Sequence, residues 1–98
     1  MMQILAIDKF LPGTTMDNVE PHLKEEMVVT WGHYKQGKIR ELYFRQDTPG
    51  VVLMMECSSL EEARELIDEL PLVKASLIEF ELIPLGPFEP LEALFKSP

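Results

Sequence analysis

The chain has 98 residues, enough for one small domain with a single core. An apolar content of 46% excludes a disordered polymer, and charges spread along the whole length exclude a membrane span. The formal charge of −8, from 17 acidic against 9 basic residues, repels phosphate backbones and excludes nucleic acid as an expected partner.

The first residues, Met1-Met2-Gln3-Ile4-Leu5, carry no basic region, and Asp8-Lys9 cuts the apolar run short, so no signal peptide is expected. Cys57 is the single cysteine and has no internal partner for a disulfide, which points to a reducing cytoplasm and a buried structural thiol. The first strand, Gln3 to Lys9, is apolar on both faces, as a central strand must be. After the turn signal Leu11-Pro12-Gly13, Thr14 or Thr15 can cap a helix with Asp17 near its positive end. Pro21 predicts a kink there or a late helix start. The stripe Met16, Val19, Leu23, Met27, Thr30 and Tyr34, with Trp31 beside it, predicts an amphipathic helix packed on the sheet, ended by Gly37 in a left-handed conformation.

Strand two, Ile39 to Gln46, alternates: Leu42 and Phe44 on one face, Ile39, Glu41, Tyr43 and Arg45 on the other. Thr48-Pro49-Gly50 suits a type II turn. Strand three, Val51 to Cys57, is again apolar on both faces and has none of the aromatics with which RNA-binding sheets of this strand order stack bases. A Cys-x-x-Cys metal-chaperone motif is missing too. Ser59 and Glu62 form a capping box for helix two, whose buried stripe is Leu60, Ala63, Leu66, Ile67 and Leu70, and Pro71 is expected to end it. The last strand sets Ile78, Phe80 and Leu82 against Leu77, Glu79, Glu81 and Ile83.

This order of elements predicts an α+β, ferredoxin-like βαββαβ fold over residues 1–83: a four-stranded antiparallel sheet in the order 4-1-3-2 with two helices on one face. Residues 84–98 form an arm of the same domain, stiffened by prolines and ending in a short helix with Leu91, Leu94 and Phe95 on one stripe. It can dock on its own subunit or on a neighbour. The sheet's other face keeps an apolar stripe of several hundred Å² with nothing to cover it, which predicts a homodimer with two sheets face to face, a dimeric α/β barrel.

The stretch from Arg40 to Phe80 resembles the muconolactone isomerase-like branch of the dimeric α/β-barrel superfamily. Ser59-Leu60-Glu61-Glu62 opening helix two, Leu70-Pro71-Leu72 closing it and Ile78-Glu79 in the last strand carry the resemblance, together with Arg40 on strand two. It implies a pocket for a small organic molecule and cofactor-free proton transfers or oxygenations on lactone-like or aromatic compounds, without a metal. No catalytic residue is carried over from the family beyond noting Arg40 as a match.

Moving a double bond requires a base beside a carbonyl and a group to steady the developing oxyanion. Tyr43 can donate a hydrogen bond, Arg45 can hold a carboxylate, and Glu79 or Glu81 can act as the base in a dry site. The same four residues can equally be edge-strand charges pairing across a dimer or facing water. His33, beside Trp31 and Tyr34, is a second candidate base at the rim of a pocket under the sheet, where the aromatics could instead seal the helix to the sheet. His22, Glu26 and His33 share one helix flank, expected to face water, and the roughly 10 Å rise from Glu26 to His33 rules out a three-ligand metal site. Three classes of function therefore remain: a small-molecule isomerase or other cofactor-free enzyme, a non-catalytic ligand-binding or stress-related module on the same frame, or a purely structural partner domain.

Overall fold

A computed structural model describes residues 1–96, in which the elements run β1 (Met2–Phe10), α1 (Met16–Val19), α2 (Leu23–Lys35), β2 (Ile39–Phe44), β3 (Val51–Cys57), α3 (Leu60–Asp68), α4 (Pro71–Lys74) and β4 (Ile78–Leu85), followed by a 3-10 helix, Glu89–Phe95. Ser97 and Pro98, the last residues of the expected arm, lie outside the described residues. The strands are antiparallel in the order β2-β3-β1-β4, the expected order read from the other edge. None of the described helices is long and apolar enough to cross a membrane.

β1 is central because it is paired on both sides: Ile4 lies between Met55 and Pro84, Ala6 between Leu53 and Leu82. Ile4, Ala6, Leu53 and Met55 form one buried layer with Cys57, Ile39, Ile78 and Phe80, closed by Val19, Ala63, Ile67, Leu70 and Leu72 from the helices. The opposite face reads in rows across the sheet. Tyr43, Val52, Ile7 and Glu81 make one row, and Glu41, Met54, Leu5 and Ile83 the next. Its centre is apolar and half-buried, its rims largely polar, and no described element lies over it.

Local signals explain most boundaries. The Thr15 hydroxyl accepts the Asn18 N–H while the Asn18 side chain accepts the Thr15 N–H, a reciprocal cap on α1. Pro21 falls in a 3-10 turn, Glu20–His22, that joins α1 to α2. Gly37 ends α2 at φ 78°, as expected. Ser59 caps α3 by accepting the Glu62 N–H at 3.0 Å, but the Glu62 carboxylate reaches Ser58 N–H instead of closing the box on Ser59.

Three expectations are corrected. First, α2 does not pack through its apolar stripe. Met27, Trp31 and Tyr34 are exposed, whereas Glu26 and His33, expected in water, are buried. The helix is turned by about one residue, ~100°, from the predicted face. Second, Pro71 does not simply end helix two; α3 stops at Asp68, Leu70 is extended, and Pro71 opens the one-turn helix α4, a first-turn position where its missing N–H is harmless. Third, a bulge between Ile39 and Glu41 moves Ile39 into the core opposite Met55, so only Arg40, Glu41 and Tyr43 remain on the open side of β2. Leu42 and Phe44 face the helix side as predicted, yet both are exposed because α2 does not reach across them.

The hairpin between β2 and β3 closes where the Arg45 N–H donates to the Gly50 carbonyl at 2.9 Å. Gly50 has φ 155°, more extended than the type II turn requires, and a Cβ there would overlap the Asp8 carboxylate. Gly50→Ala should therefore lower unfolding stability in urea by about 1–3 kcal/mol. An unchanged midpoint would show that the Asp8 contact is free to relax.

Candidate functional site

Burial of a charged side chain needs a compensating partner, and each buried polar group here satisfies a backbone group that its own element leaves open. Leu70, which precedes α4, has no side-chain acceptor to offer, and the Glu26 carboxylate accepts the Leu72 N–H at 3.0 Å in its place. At the other side of the break, His33 Nε2 lies 2.9 Å from the Leu66 carbonyl near the end of α3 and 3.5 Å from the Glu69 carboxylate. On β1, Asp8 follows Ile4 and Ala6 on the buried face, and its carboxylate accepts the Val51 N–H at 2.7 Å where β3 begins. Burial pushes both carboxyls up from their ordinary values. The Val51 N–H and Arg45 pull Asp8 back, while the Leu72 N–H and His22 pull Glu26 back and the nearby Asp8 charge pushes it further up.

Asp8 borders a cleft of about 380 Å³ on the open face, at the hairpin end of the sheet. Ile7, Lys9, Arg45, Glu79 and Glu81 line it, together with Asp8 and Phe80, whose side chains belong to the opposite, buried face. The sequence-predicted residues Arg45, Glu79 and Glu81 thus meet in one place. Arg45 lies just beyond the end of β2, crosses the hairpin, and donates to the Asp8 carbonyl at 3.2 Å and to both Asp47 oxygens at 3.0 and 2.8 Å. That pairing holds the Asp47 carboxyl below the usual range. Lys9 bridges Glu79 at 3.2 Å between exposed side chains, whereas Glu81 has no ion-pair partner among the described residues.

The other expected residues lie elsewhere. Tyr43 points from the β2 edge and donates to Glu41 at 3.2 Å, a bond that raises its phenol pKa. Arg40 projects at the bulge, 3.6 Å from Glu56. His33 is separated from its aromatic neighbours: it faces α3, while Trp31 and Tyr34 stack at 5.7 Å on the outer side of α2. There they line a second, apolar groove of about 540 Å³ with Met27, Thr30 and Leu42. Cys57 is buried, and burial followed by the Glu62 charge pushes its thiol up, away from nucleophilic use. No group of three metal-ligating side chains occurs among the described residues. Sequence reading missed Asp8 and Glu26. The period-two position of Asp8 after Ile4 and Ala6 was a legible signal, while the pairing of Glu26 with a backbone N–H 46 positions away was not.

No family model and no curated protein sequence matches the chain. Among solved structures it is similar to 5-chloro-2-hydroxyhydroquinone dehydrochlorinase (TftG) from Burkholderia phenoliruptrix AC1100, in complex with 2,5-dihydroxybenzoquinone. The two are 23% identical, with a TM-score of 0.56, over 88% of this chain and 93% of that one. The two proteins share the ferredoxin-like α+β fold.

The buried carboxyls make stability depend on pH. Their folded pKa values lie above the unfolded ones, so the folded state holds the extra protons, and the stability associated with them is present at low pH and lost as pH rises through the folded values. Glu26→Gln keeps an acceptor for the Leu72 N–H. In urea titrations it should gain stability relative to the natural chain at pH 7 and show little difference at pH 4. A variant that loses stability equally at both would show that the ionised group is required.

Proposed function

We propose that the chain is a muconolactone isomerase-like dimeric α/β-barrel protein that binds a small lactone-, phenol- or carboxylate-like molecule at the Arg45 cleft. The convergence of Arg45 and Lys9 with Asp8, Glu79 and Glu81 around about 380 Å³ carries this reading. Two cations can hold an anionic oxygen, and Ile7 offers an apolar contact for a ring. TftG, on the same fold, is a dehydrochlorinase whose structure holds 2,5-dihydroxybenzoquinone, itself a small ring bearing several oxygens.

In this reading two copies pack their open faces together over Leu5, Ile7, Val52, Met54 and Ile83. Each large side chain so buried contributes roughly 1.5–3 kcal/mol before the entropy of association is charged. The cleft lies at the rim of that face, so a facing sheet would narrow it and exclude water. The reaction is a proton transfer without a cofactor. Glu81, which has no cation partner among the described residues, takes a proton from the carbon beside the substrate carbonyl, and the electron pair moves to the carbonyl oxygen near Arg45. Return of the proton from Glu81 to another carbon re-forms the carbonyl and shifts the double bond. Glu79 is the alternative base, and Tyr43 contributes only if it exchanges Glu41 for a bound oxygen.

One observation favours the second reading, a binding module without turnover. Arg45 is already held by both Asp47 oxygens, so its charge is largely answered inside the hairpin.

Thermal-shift screening against small lactones, phenols and carboxylates tests both. Binders should stabilise the protein, and Arg45→Ala should weaken binding about tenfold or more. Glu81→Gln should keep binding and lower turnover by about a hundredfold or more. Binders with no turnover in the natural chain would select the module, and binding indifferent to Arg45→Ala would remove the cleft from consideration. Light scattering at micromolar concentration should report about twice the 11.3 kDa chain mass, and a monomer would overturn the pairing.

A further inference from the structure

We infer that the C-terminal arm of one copy seats in the apolar groove beside Trp31 on a second copy. The inference rests on the pairing of two copies proposed above, and the observations that carry it lie outside the Arg45 cleft.

Among the described residues, the apolar side chains of the C-terminal arm lie largely exposed. Phe88, Leu91, Leu94 and Phe95 are 69, 57, 76 and 87% exposed, and Leu91 and Leu94 stack on one face of the Glu89–Phe95 3-10 helix. The molecule measures 60 × 29 × 19 Å, whereas nine residues of β1 span only about 30 Å. The radius of gyration is 16.1 Å against about 13 Å for a folded chain of this length, so the arm runs on past the end of the sheet and does not fold back. Prolines at positions 84, 87 and 90 stiffen it in that direction.

The same chain carries an apolar groove that nothing fills. Met27, Trp31 and Tyr34 form the outer stripe of α2, and Leu42 of β2 completes the trough beneath them. Its apolar lining suits a short helix bearing apolar anchors three residues apart, as Leu91 and Leu94 are. The groove lies along the β2 edge, whereas the arm leaves from β4, the opposite edge. The arm therefore points away from its own groove and is free to reach that of a neighbour. Charge agrees with this choice of occupant: the arm brings Glu89 and Glu92, and α2 presents exposed Lys24 and Lys35 on one flank of the aromatic stripe, near its two ends. Because the pairing is twofold, each copy would give one arm and receive one.

Trp31 is the single tryptophan, so its fluorescence reads the groove directly. Acrylamide quenching should be measured on the natural chain, on the full-length Leu91→Ser/Leu94→Ser chain, and on that variant mixed with excess full-length Trp31→Phe chain, which is silent but has an intact arm. The arm variant is expected to at least double the quenching constant. Dilution of the natural chain should raise it as well, and mixing with the Trp31→Phe chain should bring it back down. Equal quenching of natural and arm-variant chains overturns the inference. Protection in the natural chain that neither dilution nor mixing changes also overturns it, because the arm would then fold onto its own subunit. Light scattering on the same samples separates the two proposals: a dimer in which the arm variant leaves Trp31 unaffected removes the arm and keeps the sheet pairing, and a monomer throughout removes both.

Discussion

The break between α3 and α4 governs how this molecule is put together. Leu70 goes extended before Pro71, which leaves an N–H at the start of α4 in need of a partner and gives the Leu66 carbonyl, near the end of α3, only a 3.3 Å bond from the Glu69 N–H. Helix α2 serves both, with His33 at the Leu66 carbonyl and Glu26 at the Leu72 N–H. These two side chains are seven residues apart, two helical turns or about 10.5 Å, so together they set the rotation and the axial position of α2. A buried, unpaired N–H or carbonyl is expensive, whereas an exposed methionine loses little, and the helix accordingly hides its polar flank and shows its apolar one.

That rotation has effects at both candidate surfaces. It places the Glu26 carboxylate near enough to Asp8 for the Asp8 charge to push it up, beneath the cleft where Arg45 and the β4 carboxylates gather. It also turns Trp31 and Tyr34 outward, toward Leu42 at the free edge of the sheet. The polar cleft and the aromatic groove are thus separate surfaces, on opposite faces of one sheet, fixed by a single helix orientation.

Much of this could be read in advance. The two-sided apolar strands, β1 and β3, are the central ones, and alternation in β2 and β4 does place Tyr43, Glu79 and Glu81 on one face. Gly37, Thr15 and Ser59 mark their helix ends through backbone geometry and caps that are local. What escaped prediction was non-local. Periodicity finds an apolar stripe on α2 but does not say whether the chain itself or another body covers it. Pro71 suits both the end of one helix and the first position of another. Arg45 continues the alternation of β2 on paper, yet the strand ends at Phe44 and the guanidinium follows Asp47 across the hairpin. Tyr43 and Arg45 therefore part company despite being two residues apart.

The bulge at Arg40 has one more consequence, together with Pro84 at the far side of the sheet. A regular outer strand is a template on which another chain can add, and repeated addition leads to fibrils. Here β2 is kinked where a new ladder would start, and β4 lacks a donor at Pro84. Lateral growth is thereby discouraged along both margins, so the protein can carry its half-buried apolar face without its edges inviting fibril growth.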